Sequence, residues 1–279
     1  MQPAIHIKKT IDFYKGFRSL LEVLKMLAVA EYHILERKLK VFEEIHEISK
    51  DFFGAIDVDQ IDHPFVNPQN RAVGIVAVTS DAGLLGGLNA QVMSRAIELV
   101  RQNDGRLIVV GERGQVYAQE AGIPFAFYPG VVDSRRAEQA HELRDYITQK
   151  VLSGAFGPVK VVYPRALSFV VHRVDTADLL PFAASKEKNA GEKNEIIFES
   201  DPRDVVEYLV YLVMGQQLYD VFGMSRLAEQ AARFLHLEES CNKIQEMNQK
   251  LLLQYFRRRH EVIDANMREL FAARSIYAK

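Results

Sequence analysis

The chain has 279 residues, enough for one large domain or two ordinary ones, so a sizeable core is within reach. Its 35 Lys and Arg against 37 Asp and Glu leave a formal net charge of -2, which excludes a global attraction to nucleic acid or to an anionic membrane surface. The single cysteine, Cys241, excludes an internal disulfide; no signal-peptide pattern opens the chain and no apolar run approaches the ~20 residues of a membrane span, so a cytoplasmic setting is expected, with any membrane contact made through partners.

From Ile7 to Phe53 there is no proline and only one glycine, Gly16. Apolar residues fall at Phe13, Phe17, Leu20, Leu24, Leu27, Ile34, Val41, Ile45, Ile48 and Phe52, alternating steps of four and three, with Glu31 and Lys38 as the only interruptions. That is the heptad seam of a coiled coil. It predicts a helix over 1–56, ~70 Å long at the helical rise.

The middle segment has another texture. Short β-rich runs at Arg71 to Thr79, Arg106 to Gly111, Ile123 to Tyr128, Val159 to Tyr163, Ser168 to Val174 and Glu195 to Glu199 alternate at first with helical stretches at Asn89 to Gln102, Gly114 to Ala121 and Ser134 to Leu152. Strand alternating with helix predicts an α/β domain over 70–200 with a largely parallel, Rossmann-like sheet. The polar run Ser185 to Asn194 reads as a surface loop between two strands.

The heptad signature returns at Leu227, Ala231, Phe234, Leu237, Cys241, Ile244, Leu251, Tyr255 and Val262, with Asn248 and Arg258 as polar interruptions. No Gly or Pro lies between Arg226 and Lys279, so nothing stops one continuous helix there. A C-terminal coiled-coil helix is therefore expected over 201–279, antiparallel to the N-terminal one, because two apolar stripes in one chain are buried most simply against each other.

The stretch Thr79-Ser80-Asp81-Ala82-Gly83-Leu84-Leu85-Gly86-Gly87-Leu88-Asn89 poses the main chemical question. A P-loop needs a Gly-Lys-Ser/Thr end, and no lysine follows; a dinucleotide fingerprint needs G-x-G-x-x-G, and Gly83, Gly86 and Gly87 give G-x-x-G-G. The spacing fits a structural strand-to-helix turn, with Asn89 capping the helix that follows. Glu43 with His46 and Glu138 with His141 have the E-x-x-H spacing of di-iron bundles without the further inward glutamates such a site needs. No H-E-x-x-H, paired Cys or G-x-S-x-G occurs, so neither metal hydrolysis nor a serine nucleophile has support, and no cofactor or metal is expected. Arg257-Arg258-Arg259-His260 forms a basic patch on the last helix.

The Thr79–Asn89 stretch resembles the T-S-D-R-G-L-C-G-G-L-N signature of the gamma subunit of F-type ATP synthases. Lys25-Met26-Leu27-Ala28-Val29-Ala30 is similar to the family's K-M-V-A-A-A, Ala228-Glu229-Gln230-Ala231-Ala232-Arg233 to its S-E-H-A-A-R, and Tyr255 and Arg259 to its L-x-x-x-Y-N-x-x-R-Q. The order and spacing match from about Ile7 to Phe271. The resemblance implies a non-catalytic rotor shaft that couples ion flow to ATP synthesis or hydrolysis. Its coiled coil would turn inside a ring of three alpha and three beta subunits, its α/β domain would sit with the epsilon subunit near the membrane c-ring, and the complex would be peripheral to the cytoplasmic face of the cell membrane. It implies partner contacts at Lys25, Met26, Arg259 and His260, a structural role for Gly83, Gly86 and Gly87, and nucleotides bound to alpha and beta. Three departures stand out: Ala82 replaces the signature arginine, His260 replaces a glutamine, and Asp12 to Phe17 is more aromatic than usual. A stand-alone coiled-coil adaptor or chaperone with an α/β head explains the heptads equally well, but not the ordered motifs.

Overall fold

The computed structural model describes residues 4–39, 63–68, 72–181 and 201–277. The seam positions Val41 to Phe52, the Glu43–His46 pair, the Ser185 to Asn194 connector and the expected strand Glu195 to Glu199 lie outside the described residues. The chain divides into two compact units, one of Val29–Arg233 and one of Met1–Ala28 with Phe234–Lys279.

The larger unit is built on a five-stranded sheet of order β3-β2-β1-β4-β5, made of β1 (Gly74–Val78), β2 (Arg106–Val110), β3 (Phe125–Tyr128), β4 (Val159–Ser168) and β5 (Val171–Leu180). The first four are parallel, and β5 runs antiparallel to β4 at the edge. Every residue of β1 is buried, so the run reads as continuous apolar sequence, as a strand covered on both faces must. Helices α2 (Leu88–Gln102) and α3 (Glu112–Glu120) cover one face, where Val92, Met93, Ala96 and Ala118 pack on Ile75, Ala77, Val109 and Val162. On the other face lie α4 (Arg136–Leu152) and the start of α5 (Pro202–Tyr277), with Leu143, Ile147, Val210, Met214 and Phe222 against Val76, Val78, Ile108 and Val161. The chain thus winds outward from β1 through β2 to β3, then crosses back to β4. In such a sheet the crevice at the carboxyl ends of β1 and β4 is where ligands usually bind. The glycine turn follows β1, at that crevice.

One element boundary differs from expectation, while the last helix starts at Pro202, within a residue of the expected 201. The run Ser168 to Val174 straddles a hairpin: β4 continues to Ser168, Phe169 and Val170 turn, and β5 starts at Val171. No Gly, Pro or Asn marks this turn; Phe169 is held instead by tertiary contact, edge-on to Tyr32 with ring centroids 4.8 Å apart and stacked over His33. At the start of α5, just ahead of Pro202, Asp201 Oδ1 accepts a hydrogen bond from the Arg203 amide at 2.9 Å.

In the smaller unit α1 (Ala4–Leu39) and α5 run antiparallel: Lys25 meets Glu238, while Cys241, further along α5, lies near Arg18, further back on α1. On α5 the expected seam is the packed one. Leu237, Cys241 and Ile244 are buried, and Asn248, Leu251, Tyr255 and Arg258 are half-buried. On α1 it is not. The buried or half-buried positions that repeat by fours and threes are Ile7, Ile11, Tyr14, Arg18, Leu21, Lys25 and Ala28, displaced by one residue from the expected set, of which Leu24 alone also packs on the α5 cluster, from the flank. Phe13, Phe17, Leu20 and Leu27 are 65%, 41%, 54% and 54% exposed. Arg18 and Lys25 stand in the true seam, so a pattern that scores apolar side chains favours the neighbouring stripe.

Within the larger unit α5 also carries a polar core. Leu227 and Ala231 pack with Tyr32 and Leu35 of α1, and Ala232 packs with Leu85 and Leu88 of the glycine turn. Between them Glu229 is 2% exposed, its carboxylate 2.6 Å from Arg226 Nη1, and Gln230 donates from Nε2 to Glu31 Oε2. Burial pushes the Glu229 carboxyl up to about 7, with Arg226 and Arg233 pulling the other way and Asp81 adding slightly to the rise. A carboxyl raised in the fold takes up a proton more readily there than in the unfolded chain. Its contribution to stability is therefore complete below the usual value near 4.5 and is lost as pH rises through about 7. Glu229→Gln should gain on the parent across that window, by about 3 kcal/mol in total. Urea unfolding of the full chain at pH 4.5 to 8 checks this; a pH-independent difference between the two proteins would contradict a buried, titrating Glu229.

Candidate functional site

The glycine turn is tied at every step to the strand ends around it. Thr79 Oγ1 donates to the Val110 carbonyl at 2.6 Å and accepts from the Gly114 amide at 3.0 Å, joining β1 to the start of α3. Ser80 N donates to Asn89 Oδ1 at 3.2 Å, and Asn89 Nδ2 donates to Ser80 Oγ at 2.9 Å. Asn89 therefore does not cap α2 as expected. Gly87 holds the cap position without a side-chain bond, and Asn89, inside the first turn, reaches back to close the loop. Gly86 has φ 57, the left-handed conformation that makes glycine suitable there.

Asp81, exposed, bonds to the start of the next helix along the sheet and not to the helix that follows the glycine turn. Its Oδ1 accepts from the Glu112 amide at 2.8 Å, at the N-terminus of α3, and both carboxylate oxygens lie 3.1 Å from the Gly130 amide. A helix N-terminus with free amides favours an anion, and here the chain supplies its own. Gly130 permits the approach, since a Cβ there would lie 2.5 Å from the Asp81 carboxyl carbon. Leu85 and Leu88 point the other way, into the contact with Ala232. Gly83 is flanked by the Arg113 guanidinium, whose Nη2 would be 3.3 Å from a Cβ at Gly83. Ala82 itself is exposed, so at this turn a guanidinium comes from α3 and not from the loop.

The helical residues singled out by sequence fall into separate places. Lys25 Nζ lies 2.5 Å from Glu238 Oε2, and that hydrogen bond raises its pKa above the usual lysine value. Met26, one position on, is 68% exposed. Arg259 and His260 are exposed on α5, next to Arg258, which pairs with Glu261. Lys25 is thus committed within the helix pair, while Met26, Arg259 and His260 face outward. Glu138 is held by Arg135 at 2.8 Å, which lowers its pKa, and among the described residues no group of three or more His, Cys, Asp or Glu could hold a metal. No described helix is long and apolar enough to cross a membrane.

Sequence reasoning missed Asp81 as the group that bonds to the start of α3, Glu238 as the partner of Lys25, and Glu229 as a buried carboxylate. The last carried a partial signal: Glu229 stands in a run with Leu227, Ala228, Ala231 and Ala232, small and apolar residues suited to close packing.

A family model described as ATP synthase matches residues 4–275. The ATP synthase gamma chain of Chlorobaculum tepidum is 27% identical over 274 residues, covering 92% of this chain and 94% of the relative. That of Desulforamulus reducens is 23% identical and covers 97% of both. Among solved structures, a chain of the Euglena gracilis mitochondrial ATP synthase rotor superposes with a TM-score of 0.69 at 18% identity, covering 93% of this chain and 98% of that one. A chain of the Tetrahymena thermophila mitochondrial ATP synthase central stalk and c-ring gives 0.62 at 17% identity, covering 79% and 99%. At those identities the structural likeness speaks for the fold, and it is the fold described above. With a family model spanning nearly its whole length, the chain belongs to the ATP synthase family, among relatives that are gamma chains.

Proposed function

We infer that this chain is the gamma subunit of an ATP synthase, the rotor of its central stalk. The observation that carries the reading is the whole-length family match, in which the end helices and the α/β domain fall together in one alignment. The paired helices make physical sense of it. Two helices in contact along a seam resist bending better than one, and their outward faces carry different side chains. A surrounding ring of alpha and beta subunits would then meet a different face at each position. Because coupling between sites is reciprocal, hydrolysis in the ring turns the shaft, and a shaft turned by ion flow biases the ring toward releasing ATP.

The chain takes no part in bond making on this reading. The turn after β1 has neither a P-loop nor a dinucleotide fingerprint, and nucleotide chemistry belongs to the alpha and beta subunits. The other partners are an epsilon subunit and the membrane c-ring, and the complex is peripheral to the cytoplasmic face of the cell membrane. Met26 is the α1 position turned toward beta. Arg259 makes charge-assisted hydrogen bonds to an acidic loop of beta, holding one rotational state until nucleotide binding moves that loop. His260 supports it from the next position.

Two measurements test this. Affinity purification of the full chain from its native host should bring down alpha-type and beta-type subunits in a three-to-three-to-one ratio, and calorimetry should find no micromolar ATP affinity in the isolated chain; a chain that purifies alone would remove the rotor reading. In the assembled complex Arg259→Glu should lengthen or shorten the dwell between rotational steps by about tenfold, as losing one charge-assisted contact would. Unchanged dwells and unchanged coupling would remove Arg259 from the contact.

A further inference from the structure

Helix α1 carries two apolar stripes, and the packed one is the less apolar. Over the same turns the outward stripe reads Phe13, Phe17, Leu20 and Leu27, and the seam reads Tyr14, Arg18, Leu21, Lys25 and Ala28, with Leu24 half-buried on its shoulder. One residue is about 100° of rotation about the helix axis. Turning α1 by that angle would bring Phe13, Phe17, Leu20 and Leu27 toward Leu237, Cys241 and Ile244 of α5 and keep Leu24 there, and apolar burial alone favours that arrangement. Something other than apolar area therefore sets the rotational phase. The one α1-to-α5 ion pair among the described residues of this unit is Lys25–Glu238, at 2.5 Å, with the lysine side chain 25% exposed and the glutamate 43%. Rotation by one residue would put Leu24 beside the Glu238 carboxylate and carry Lys25 away from it.

We propose that the Lys25–Glu238 pair is a phase selector, which holds α1 in the rotational setting that keeps Phe13, Phe17, Leu20 and Leu27 outward and unburied. A polar pair that specifies one packing at the expense of apolar burial is a known use of charges in helical seams. Ala28, 1% exposed, offers a rival cause, since a small residue lets helices approach closely, and the experiment separates the two. The rotor reading enters only in saying what the outward stripe is for, as the face met by the surrounding subunits. What holds that stripe outward is a property of this chain alone.

Cys241 provides the probe, because it is buried in the seam with Leu21. The full chain carrying Leu21→Cys, or separately Leu20→Cys, is brought to equilibrium in a glutathione redox buffer, and the disulfide to Cys241 is quantified by mass spectrometry. Disulfides tolerate little error in Cβ placement, so the Leu21→Cys bridge should exceed the Leu20→Cys bridge by about tenfold in the parent background. Lys25→Glu, which sets two carboxylates face to face, should reduce that ratio by about fivefold, and Lys25→Glu with Glu238→Lys should restore it. Glu238→Gln, which removes the attraction without adding repulsion, should reduce it by about twofold, and it serves if the charge reversal prevents folding. A parent ratio near one, a ratio unmoved by Lys25→Glu or by Glu238→Gln, or a loss that the double reversal fails to restore would overturn the proposal, and the second of these would assign the phase to Ala28. None of these outcomes depends on partner subunits, so the rotor reading stands or falls separately, on what co-purifies.

Discussion

Helix α5 serves two cores, and that double duty constrains the rest of the molecule. In the larger unit its apolar stripe is Val206, Val210, Met214, Leu218 and Phe222, steps of four that drift around the helix by about 40° each and suit an oblique crossing of the sheet and α4. In the smaller unit the stripe is Leu237, Cys241, Ile244, steps of four and three that stay along one line and suit a helix pair. Between them, from Ser225 to Arg233, the helix is buried on several sides at once, and this is where its polar residues are drawn inward. Ser225, Glu229 and Gln230 are all within 2% of full burial. Leu227 and Ala231 there meet α1 and the β4–β5 hairpin, and Ala232 meets the glycine turn.

The stronger elements were legible because one rule governed each. The strands β1, β2 and β3 and helices α2 to α4 follow from short β-branched runs alternating with helical stretches, and the α5 seam follows from a heptad with few polar intrusions. Where two rules competed, the pattern misled. On α1 apolar counting and charge pairing point to stripes one residue apart, and the packed stripe contains Arg18 and Lys25. At the β4–β5 hairpin the turn has no turn-forming residue, and Phe169 is fixed by Tyr32, which is distant in sequence. At Asn89 the side chain had two possible backbone targets, its own helix or Ser80, and only the three-dimensional loop decides between them.

The glycine turn shows the same division. Its spacing excluded a P-loop and a dinucleotide fingerprint, and that exclusion needed no structure. The part Asp81 plays did not follow from spacing, because it contacts amides at Glu112 and Gly130, contributed by two later loops. Strand β1, the start of α3 and the loop before α4 are joined through this one side chain.

The replacement of the signature arginine by Ala82 belongs to the same balance of charge. Asp81 adds slightly to the rise of the Glu229 carboxyl, and a guanidinium in the loop would oppose it. With alanine at position 82 the positive charge comes from elsewhere: Arg226, one turn before Glu229 on α5, supplies the nearest, and Arg113 lies along the loop at Gly83. Arg226 is tied to the same helix as the carboxylate it neutralises, so the pair moves with α5 and makes no bridge from α5 to the turn. The hold of the turn on α5 then rests on Leu85 and Leu88 packing against Ala232, which is apolar and non-directional. A chain with arginine at position 82 could add a directional ion pair across the same contact, whereas in this one the Arg226–Glu229 pair stays within α5 and the contact relies on packing.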